Sequence, residues 1–173
     1  NKDINSYRLD SEILLAKILK KKRDEILINL DRKVSHQTIK SFEKLIERRS
    51  SKEPIAYILE EKEFWSQNFF VNKNTLIPRP ETELLVEKVV NIFLKKNIYI
   101  LDIGTGSGCI LVSILTELKN STGIGVDICG KTIKNAIRNS IKHKISNRVK
   151  FHNKCFSNIY GYKFDLIVSN PPY

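Results

Sequence analysis

The sequence has no long apolar stretch and few cysteines. No run of about 18 apolar residues occurs in the 173 residues, so no transmembrane helix is predicted. The first ten residues, NKDINSYRLD, lack the apolar core of a secretory signal peptide. Cys109, Cys129 and Cys155 form no CxxC pair and have no histidine at ligand spacing, which argues against a disulfide framework and against a zinc site. We therefore expect a cytoplasmic protein with reduced thiols and no metal.

Acidic residues are missing from the segment 131–154, although the segment is rich in basic ones. The formal net charge of the chain is +11, and this stretch contributes Lys131, Lys134, Arg138, Lys142, Lys144, Arg148, Lys150 and Lys154. Steps of three and four residues place the first four on one face of a helix, which is typical of a solvated surface. A surface that contacts RNA, or an RNA-bound partner, is the alternative interpretation.

The first 52 residues lack glycine and proline altogether and carry apolar residues at helical spacing. Asp10-Ser11 is predicted to cap a first helix, Asp24 a second short one, and a third is predicted to begin near Ser35 or Thr38. Their apolar stripes need to pack on one another, so residues 1–52 are predicted to form a small helical domain.

Residues 53–80 read as a linker that contains a hairpin. Two aromatic stretches, 64–65 and 69–71, are predicted to pair around a polar turn at 66–68. A helix with acidic residues in its first turn is predicted to follow Pro80.

The rest of the chain, 81–173, alternates strand-like and helix-like segments. Predicted strands at 98–103, 122–127, 149–152 and 164–168 are joined by predicted helices at 110–118 and 131–144. This alternation predicts an α/β domain with a parallel, doubly wound sheet.

A glycine-rich turn follows the first of these strands in the sequence LDIGTGSGCI. Gly104 and Gly106 permit a tight turn that a ligand can approach closely, and Gly108 lets the next helix sit near the sheet. The lysine of a GxxxxGK[ST] phosphate loop is missing. The order DxGxGxG has the spacing seen with S-adenosylmethionine rather than with dinucleotides, and Asp102 fits as an indirect partner of the ligand's ammonium group.

Asp127 ends the second strand, about twenty residues after the glycine turn. A carboxylate there can accept hydrogen bonds from both hydroxyls of a ribose, which is the interpretation we favour. A cap on the following helix and a salt bridge to Lys131 are the structural alternatives.

The chain ends in FDLIVSNPPY, a strand followed by an asparagine and two prolines. Proline restricts the residue before it to extended geometry, so Asn170 is held rigidly at the end of the strand. Its side-chain oxygen and the carbonyl of Pro171 could accept the two hydrogens of a planar NH2 group, on which Tyr173 could stack. Two such acceptors would align a poorly nucleophilic amide or exocyclic amine with a methyl sulfonium.

With these motifs, the chain resembles the HemK/PrmC family of protein-glutamine N5-methyltransferases over about residues 8–173. RRSSKEPIAYIL, EFWSQNFFVN and LIPRPETELLVE are the most specific segments, and LDIGTGSGCI and FDLIVSNPPY complete the pattern. The resemblance implies S-adenosylmethionine-dependent methylation of the GGQ glutamine of peptide chain release factors, the proteins of translation termination. It also implies a helical N-terminal domain followed by a Rossmann-like class I methyltransferase domain.

The resemblance also implies roles for particular residues. The donor would be contacted by Gly104, Thr105, Gly106, Ser107, Gly108, Asp127 and Asn170, and the glutamine amide would be held by Asn170, Pro171, Pro172 and Tyr173. Residues 79–82 would lie close to the donor, and Phe64-Trp65 would either wall the pocket or pack in the core. The family's Asp-Trp-Phe-like triplet near the adenine is replaced by Lys154-Cys155-Phe156, and Glu60 stands where glycine is usual.

About four of the family's seven strands are present, so we expect a fragment truncated after NPPY that binds donor weakly and methylates poorly. The complete protein, in which a second methyltransferase could be fused, is expected to be monomeric. Two other functions stay open: methylation of an exocyclic amine in rRNA or DNA, and an inactive fragment that only binds release factors.

Overall fold

The computed structural model describes residues 6–29, 31 and 33–171, and these divide into two compact units, the first ending at Glu60 and the second beginning at Glu61. None of the helices in the described residues is long and apolar enough to cross a membrane.

The described part of the first unit contains four helices: α1 (Tyr7–Leu19), α2 (Arg23–Ile28), α3 (His36–Ser50) and α4 (Ile55–Leu59). The apolar side chains at its centre are Leu14, Ala16, Ile26, Ala56 and Ile58. The third helix begins where the sequence predicts, since the Ser35 hydroxyl accepts a hydrogen bond from the Thr38 amide at 3.1 Å. The sequence-based boundary after residue 52 differs from the division after Glu60 because α4 packs on α1 and α3.

Asp10 does not cap α1, and that prediction is wrong. The helix starts at Tyr7, three residues before Asp10, so that Asp10 lies in its first turn. Its buried carboxylate accepts hydrogen bonds from Ser6 Oγ at 2.9 Å and from Arg49 Nε on α3 at 2.7 Å. An acidic residue near a helix start is thus used to join two helices rather than to cap one.

The second unit begins with a hairpin of β1 (Glu61–Phe64) and β2 (Gln67–Phe70). Its turn consists of Trp65 and Ser66, both with φ of 53°, so it is a two-residue turn one residue earlier than predicted. Glu60, where the family usually has glycine, keeps a left-handed backbone with φ of 57°.

A four-stranded parallel sheet forms the body of the second unit, with the strand order β5-β4-β3-β6. The strands are β3 (Tyr99–Ile103), β4 (Thr122–Asp127), β5 (Val149–Asn153) and β6 (Leu166–Ser169), and the helices are α5 (Glu83–Phe93), α6 (Cys109–Glu117) and α7 (Gly130–Lys142). The chain leaves β3 in one direction through β4 and β5 and then returns to the other side of β3 as β6. The sheet is therefore doubly wound, as predicted, and its order reverses between β3 and β6.

The two faces of this sheet are buried to different extents. On one face, Ile100 lies in a large apolar core shared with α5 and α6, whose buried members include Val86, Leu111 and Leu115. On the other face, Leu101 belongs to a small cluster with Ile124 and Val126, against which Tyr99, Ile103, Ile159 and Phe164 pack. Neighbouring residues of β3 thus point to opposite faces, which explains its continuous apolar sequence.

Candidate functional site

The carboxyl ends of β4, β3 and β6 bring the predicted site residues together. Ile103 pairs with Val126 on one side and with Ser169 on the other. Asp127, Gly104 and Asn170, which follow these three residues, therefore start side by side, one strand spacing of about 4.8 Å apart. Gly104 and Asn170 flank the point where the strand order reverses, which is where ligands bind in open α/β sheets.

The glycine turn is shaped as the sequence predicts. Gly104 and Gly106 have φ of 70° and 58°, and a Cβ atom on Gly104 would meet nothing within 4 Å. The turn is anchored to the sheet because the amides of Gly104 and Thr105 both donate to Val126 O, at 2.9 and 3.0 Å. The two glycines therefore offer an open backbone surface that a ligand can approach.

Gly108 is needed for close packing against the sheet, as predicted, and also against α7. With φ of 79° it ends the turn and caps α6, and a Cβ atom there would lie 3.2 Å from Ala136 Cβ on α7 and 3.4 Å from Phe151 Cζ on β5. The glycine thus sets the distance between α6 and its neighbours on the β5 side of the sheet.

Thr105 and Ser107 are 4% and 2% exposed and lie beneath the turn. The Thr105 hydroxyl donates to Asp102 Oδ2 at 2.7 Å. The surface that faces a ligand is consequently that of Gly104 and Gly106, and a direct contact from Thr105 or Ser107 to the donor stays a prediction.

Asp102 is fully buried below the turn, and no hydrogen-bond partner among the described residues reaches its Oδ1. Burial raises the pKa of Asp102 to about 7; the Thr105 hydroxyl and the backbone amide of Leu111 oppose this rise, and the charge of Asp127 reinforces it. A buried carboxylate with one unpartnered oxygen favours a positive charge above it, which fits the predicted indirect role toward an ammonium group.

The carboxylate of Asp127 links the glycine turn after β3 to the loop between β4 and α7. Its Oδ2 accepts a hydrogen bond from Gly106 N at 3.2 Å, and its Oδ1 accepts one from Cys129 N, before α7, at 2.9 Å. The structural alternative of a cap at the start of α7 is thus realised in part. Each oxygen has a second lone pair, so the same carboxylate can also accept ribose hydroxyls.

The Asn170 side chain lies on the wall of a pocket of about 390 Å³. The other residues lining this pocket come from the segment 76–85 and from the end of β6: Leu76, Arg79, Glu81, Thr82, Leu85 and Ser169. Asn170 Nδ2 donates to Thr82 Oγ1 at 3.1 Å. Of the other predicted amide-binding residues, Pro171 is exposed, whereas Pro172 and Tyr173 lie outside the described residues.

Phe64 and Trp65 are not among the residues that line that pocket. Phe64 is 1% exposed and belongs to the main core. The indole Nε1 of Trp65 donates to Glu117 at the end of α6, and its amide donates to Glu83 Oε1. Of the two roles considered for this pair, the structure favours core packing over a wall of the pocket, and Trp65 in addition attaches the hairpin to α5 and α6.

One buried residue that the sequence analysis missed joins the glycine turn to the segment leading into the pocket. Asn139 on α7 is fully buried. Its Oδ1 accepts from Phe70 N at 2.7 Å, and its Nδ2 donates to Phe70 O at 3.0 Å and to Ser107 O at 2.8 Å. The available sequence signal was a polar residue at seven-residue spacing from Thr132, on the helix face that also carries Asn135 and Ala136.

Replacing Asn139 by alanine should lower the free energy of unfolding of the second unit by on the order of 2 kcal/mol, because buried backbone groups of Phe70 and Ser107 lose their partner. Urea unfolding followed by Trp65 fluorescence measures this, since Trp65 is the chain's only tryptophan and lies in that unit. Asn147→Ala, at an exposed position, is the control and should change little. Equal stability of the two variants would contradict the assignment.

The basic side chains of the segment 131–154 make different kinds of contact. The Arg148 guanidinium donates to the carbonyls of Leu115, Leu118 and Ser121 and so closes the end of α6. Arg138 lies 3.6 Å above the Phe70 ring, and Lys142 pairs with Glu61. Part of the segment is therefore structural, and RNA contact through the rest stays a prediction.

Two family models match the chain: a PrmC N-terminal domain over residues 1–59 and a methyltransferase domain over 94–172. A bifunctional methyltransferase of Rickettsia typhi is 42% identical over 98% of the chain, and a release factor glutamine methyltransferase of Buchnera aphidicola is 42% identical over 99%. The chain spans 37% of the length of the first relative and 62% of the second.

Among solved structures, the protein PH0793 of Pyrococcus horikoshii matches 59% of the chain, over 38% of its own length, with a TM-score of 0.51 and 16% identity. At that identity the likeness concerns the fold alone. The two matched domains and the relatives at about 40% identity support the family resemblance that the sequence motifs indicated. The resemblance to the HemK/PrmC family is therefore confirmed: in this chain a PrmC N-terminal domain precedes a methyltransferase domain.

Proposed function

We propose that the protein to which this sequence belongs transfers a methyl group from S-adenosylmethionine to the side-chain nitrogen of the GGQ glutamine in peptide chain release factors. The observation that carries the proposal is the position of Asn170, beside Gly104 at the reversal of strand order and on the wall of a pocket. The name of the Buchnera relative, a release factor glutamine methyltransferase, supports the choice of substrate.

The donor would lie across the carboxyl ends of the strands. Gly104 and Gly106 offer open backbone, Asp127 offers acceptors for the ribose, and the unpartnered Oδ1 of Asp102 favours an ammonium group above the turn. S-adenosylmethionine supplies an electrophilic methyl group on a sulfonium. With Asp127 on one side of Gly104 and Asn170 on the other, the adenosine would lie toward β4 and β5 and the methyl group toward β6.

The chain's own task at β6 is to hold a weak nucleophile. An amide nitrogen shares its lone pair with its carbonyl group and attacks slowly. Asn170 Oδ1 would accept one N–H of the substrate amide and the Pro171 carbonyl would accept the other, which fixes the nitrogen in line with the methyl group. The same two oxygens would stabilise the positive charge that develops on that nitrogen, and a proton then leaves it.

Exposed apolar residues at the same edge would suit an adenine. Ile128, directly after Asp127, is 81% exposed, and Phe156, in the loop after β5, is 57% exposed. The family's acidic residue at position 154 is a lysine here, so we propose that the adenine is held mainly by apolar contact in this protein. A sequence signal for Ile128 existed: a lone aliphatic residue directly after the strand-ending acid.

Methyl transfer from radiolabelled donor by the full-length gene product tests the proposal. We expect label in a release factor and none in the same factor carrying Gln→Ala in GGQ. Equal amounts of rRNA and DNA serve as competing substrates, because amino groups of bases have the same planar geometry as an amide. Label retained in the Gln→Ala factor, or found chiefly in nucleic acid, would overturn the proposal.

A further inference from the structure

Asn170 can act on a substrate NH2 group only with its oxygen turned toward that group. The two ends of an asparagine side chain have nearly the same shape but opposite hydrogen-bonding character. Reversed, the Asn170 NH2 would face the substrate NH2, and two donors would meet. The prolines after Asn170 fix its backbone, but rotation about χ2 of asparagine is broad and is not set by the backbone. A further contact is therefore needed to orient the amide.

Thr82 makes such a contact. Its Oγ1 accepts a hydrogen bond from Asn170 Nδ2 at 3.1 Å, across 88 positions of sequence. Oδ1 and Nδ2 lie at opposite ends of the amide group, so with Nδ2 bound to Thr82 the oxygen points away from Thr82. Both residues are half-buried and line the same pocket, so the contact lies where a substrate amide would enter.

Thr82 is itself held by its surroundings. It is the last residue of a 3-10 turn, Pro80–Thr82, which begins with a proline, and its amide donates to Arg79 O at 3.0 Å. Directly after it, α5 starts at Glu83, whose carboxylate accepts from Trp65 N. A proline-started turn fused to a helix gives the hydroxyl a defined position, as a residue that orients another must have.

We propose that Thr82 is a positioning residue that orients the Asn170 amide for the substrate. The hydroxyl keeps the amide plane in place and, by accepting from Nδ2, increases the negative charge on Oδ1. In this role Thr82 acts on the reaction through Asn170, and no contact of its own with the donor or the reacting nitrogen is assigned to it. The inference rests on the proposed function for its substrate, but the orientation of Asn170 can be measured without any substrate.

Thr82→Val and Thr82→Ser form the matched pair that tests this in the full-length gene product. Valine keeps the shape and removes the hydroxyl, whereas serine keeps the hydroxyl and removes the methyl group. We expect Thr82→Val to lower kcat about tenfold, with donor affinity and Tm close to the parent, and Thr82→Ser to stay within about twofold of the parent. In an Asn170→Ala background, Thr82→Val should have no further effect.

A second readout needs no turnover. In protein labelled with 15N-asparagine, the side-chain NH2 signals of Asn170 are identified by their absence from Asn170→Ala. They should shift in Thr82→Val and keep their positions in Thr82→Ser. Unchanged signals in Thr82→Val, or a serine variant as impaired as the valine one, would overturn the inference. If the parent protein labels nucleic acid instead of release factor, the proposed function fails, while the NMR result still decides the role of Thr82.

Discussion

Asn170→Ala should lower methyl transfer about a hundredfold, since removing one oriented polar contact from a reacting group has an effect of this size. The loss is expected in kcat, because the Asn170 oxygen stabilises charge that appears on the nitrogen only as the methyl group moves. Donor affinity should change far less, because the glycine turn and Asp127 lie on other strand ends. Single-turnover transfer to release factor, with donor binding measured separately, gives both quantities.

The control for this variant is Asn147→Ala, which removes the same side chain from an exposed position just before β5, at the opposite edge of the sheet. It should transfer methyl groups at the parent rate. Near-normal turnover by Asn170→Ala would refute the role given to its amide. Comparable losses in turnover and in donor affinity would instead place Asn170 chiefly among the donor contacts.

Local signals in the sequence were sufficient to predict much of the α/β unit. Apolar, β-branched runs predicted β3 and β4, and the glycine turn and Asp127 were recognised because each follows directly on a strand. Parallel strands place their carboxyl ends at one edge, so the neighbourhood of Gly104, Asp127 and Asn170 could be foreseen without coordinates. The start of α3 at Ser35 could likewise be predicted from the residues around it.

The error at Asp10 and the omission of Thr82 have one physical cause, contacts between residues far apart in sequence, whereas the error in the hairpin turn is local. Asp10 looks like a helix cap, but its partner Arg49 is 39 residues away. Thr82 looks like an ordinary residue in an acidic first turn until β6 brings Asn170 beside it. The hairpin turn was misplaced because Trp65 and Ser66 adopt left-handed backbone without the glycine or asparagine that usually marks it.

Asp102 should make the second unit less stable as the pH rises from about 4 to about 7. Burial raises the pKa of this carboxyl from an ordinary 3.8 to about 7, with the Thr105 hydroxyl opposing and the charge of Asp127 adding to the rise. The native state therefore binds the proton more tightly than the unfolded chain does across this range. The contribution of Asp102 to the free energy of unfolding is greatest below pH 4, falls as the pH increases and levels off above about 7.

Three pKa units correspond to about 4 kcal/mol, which sets the scale of the expected fall. Asp102→Asn keeps the size of the side chain and an acceptor for Thr105 but cannot titrate, so its stability should lack this fall. Urea unfolding followed by Trp65 fluorescence at a series of pH values compares the two proteins within the relevant unit. Other carboxyl groups titrate in both, so the difference between the two profiles isolates Asp102.

Asp165→Asn is the matched control, because it removes an exposed carboxyl that accepts from Tyr99 N at the opposite end of β3. The fall between pH 4 and pH 7 should persist in this variant. Parallel profiles for the parent and Asp102→Asn would show that the buried carboxyl titrates normally. That result would also weaken the case for an ammonium group above the turn, because a cation there is favoured by a carboxylate whose charge is costly to leave uncompensated.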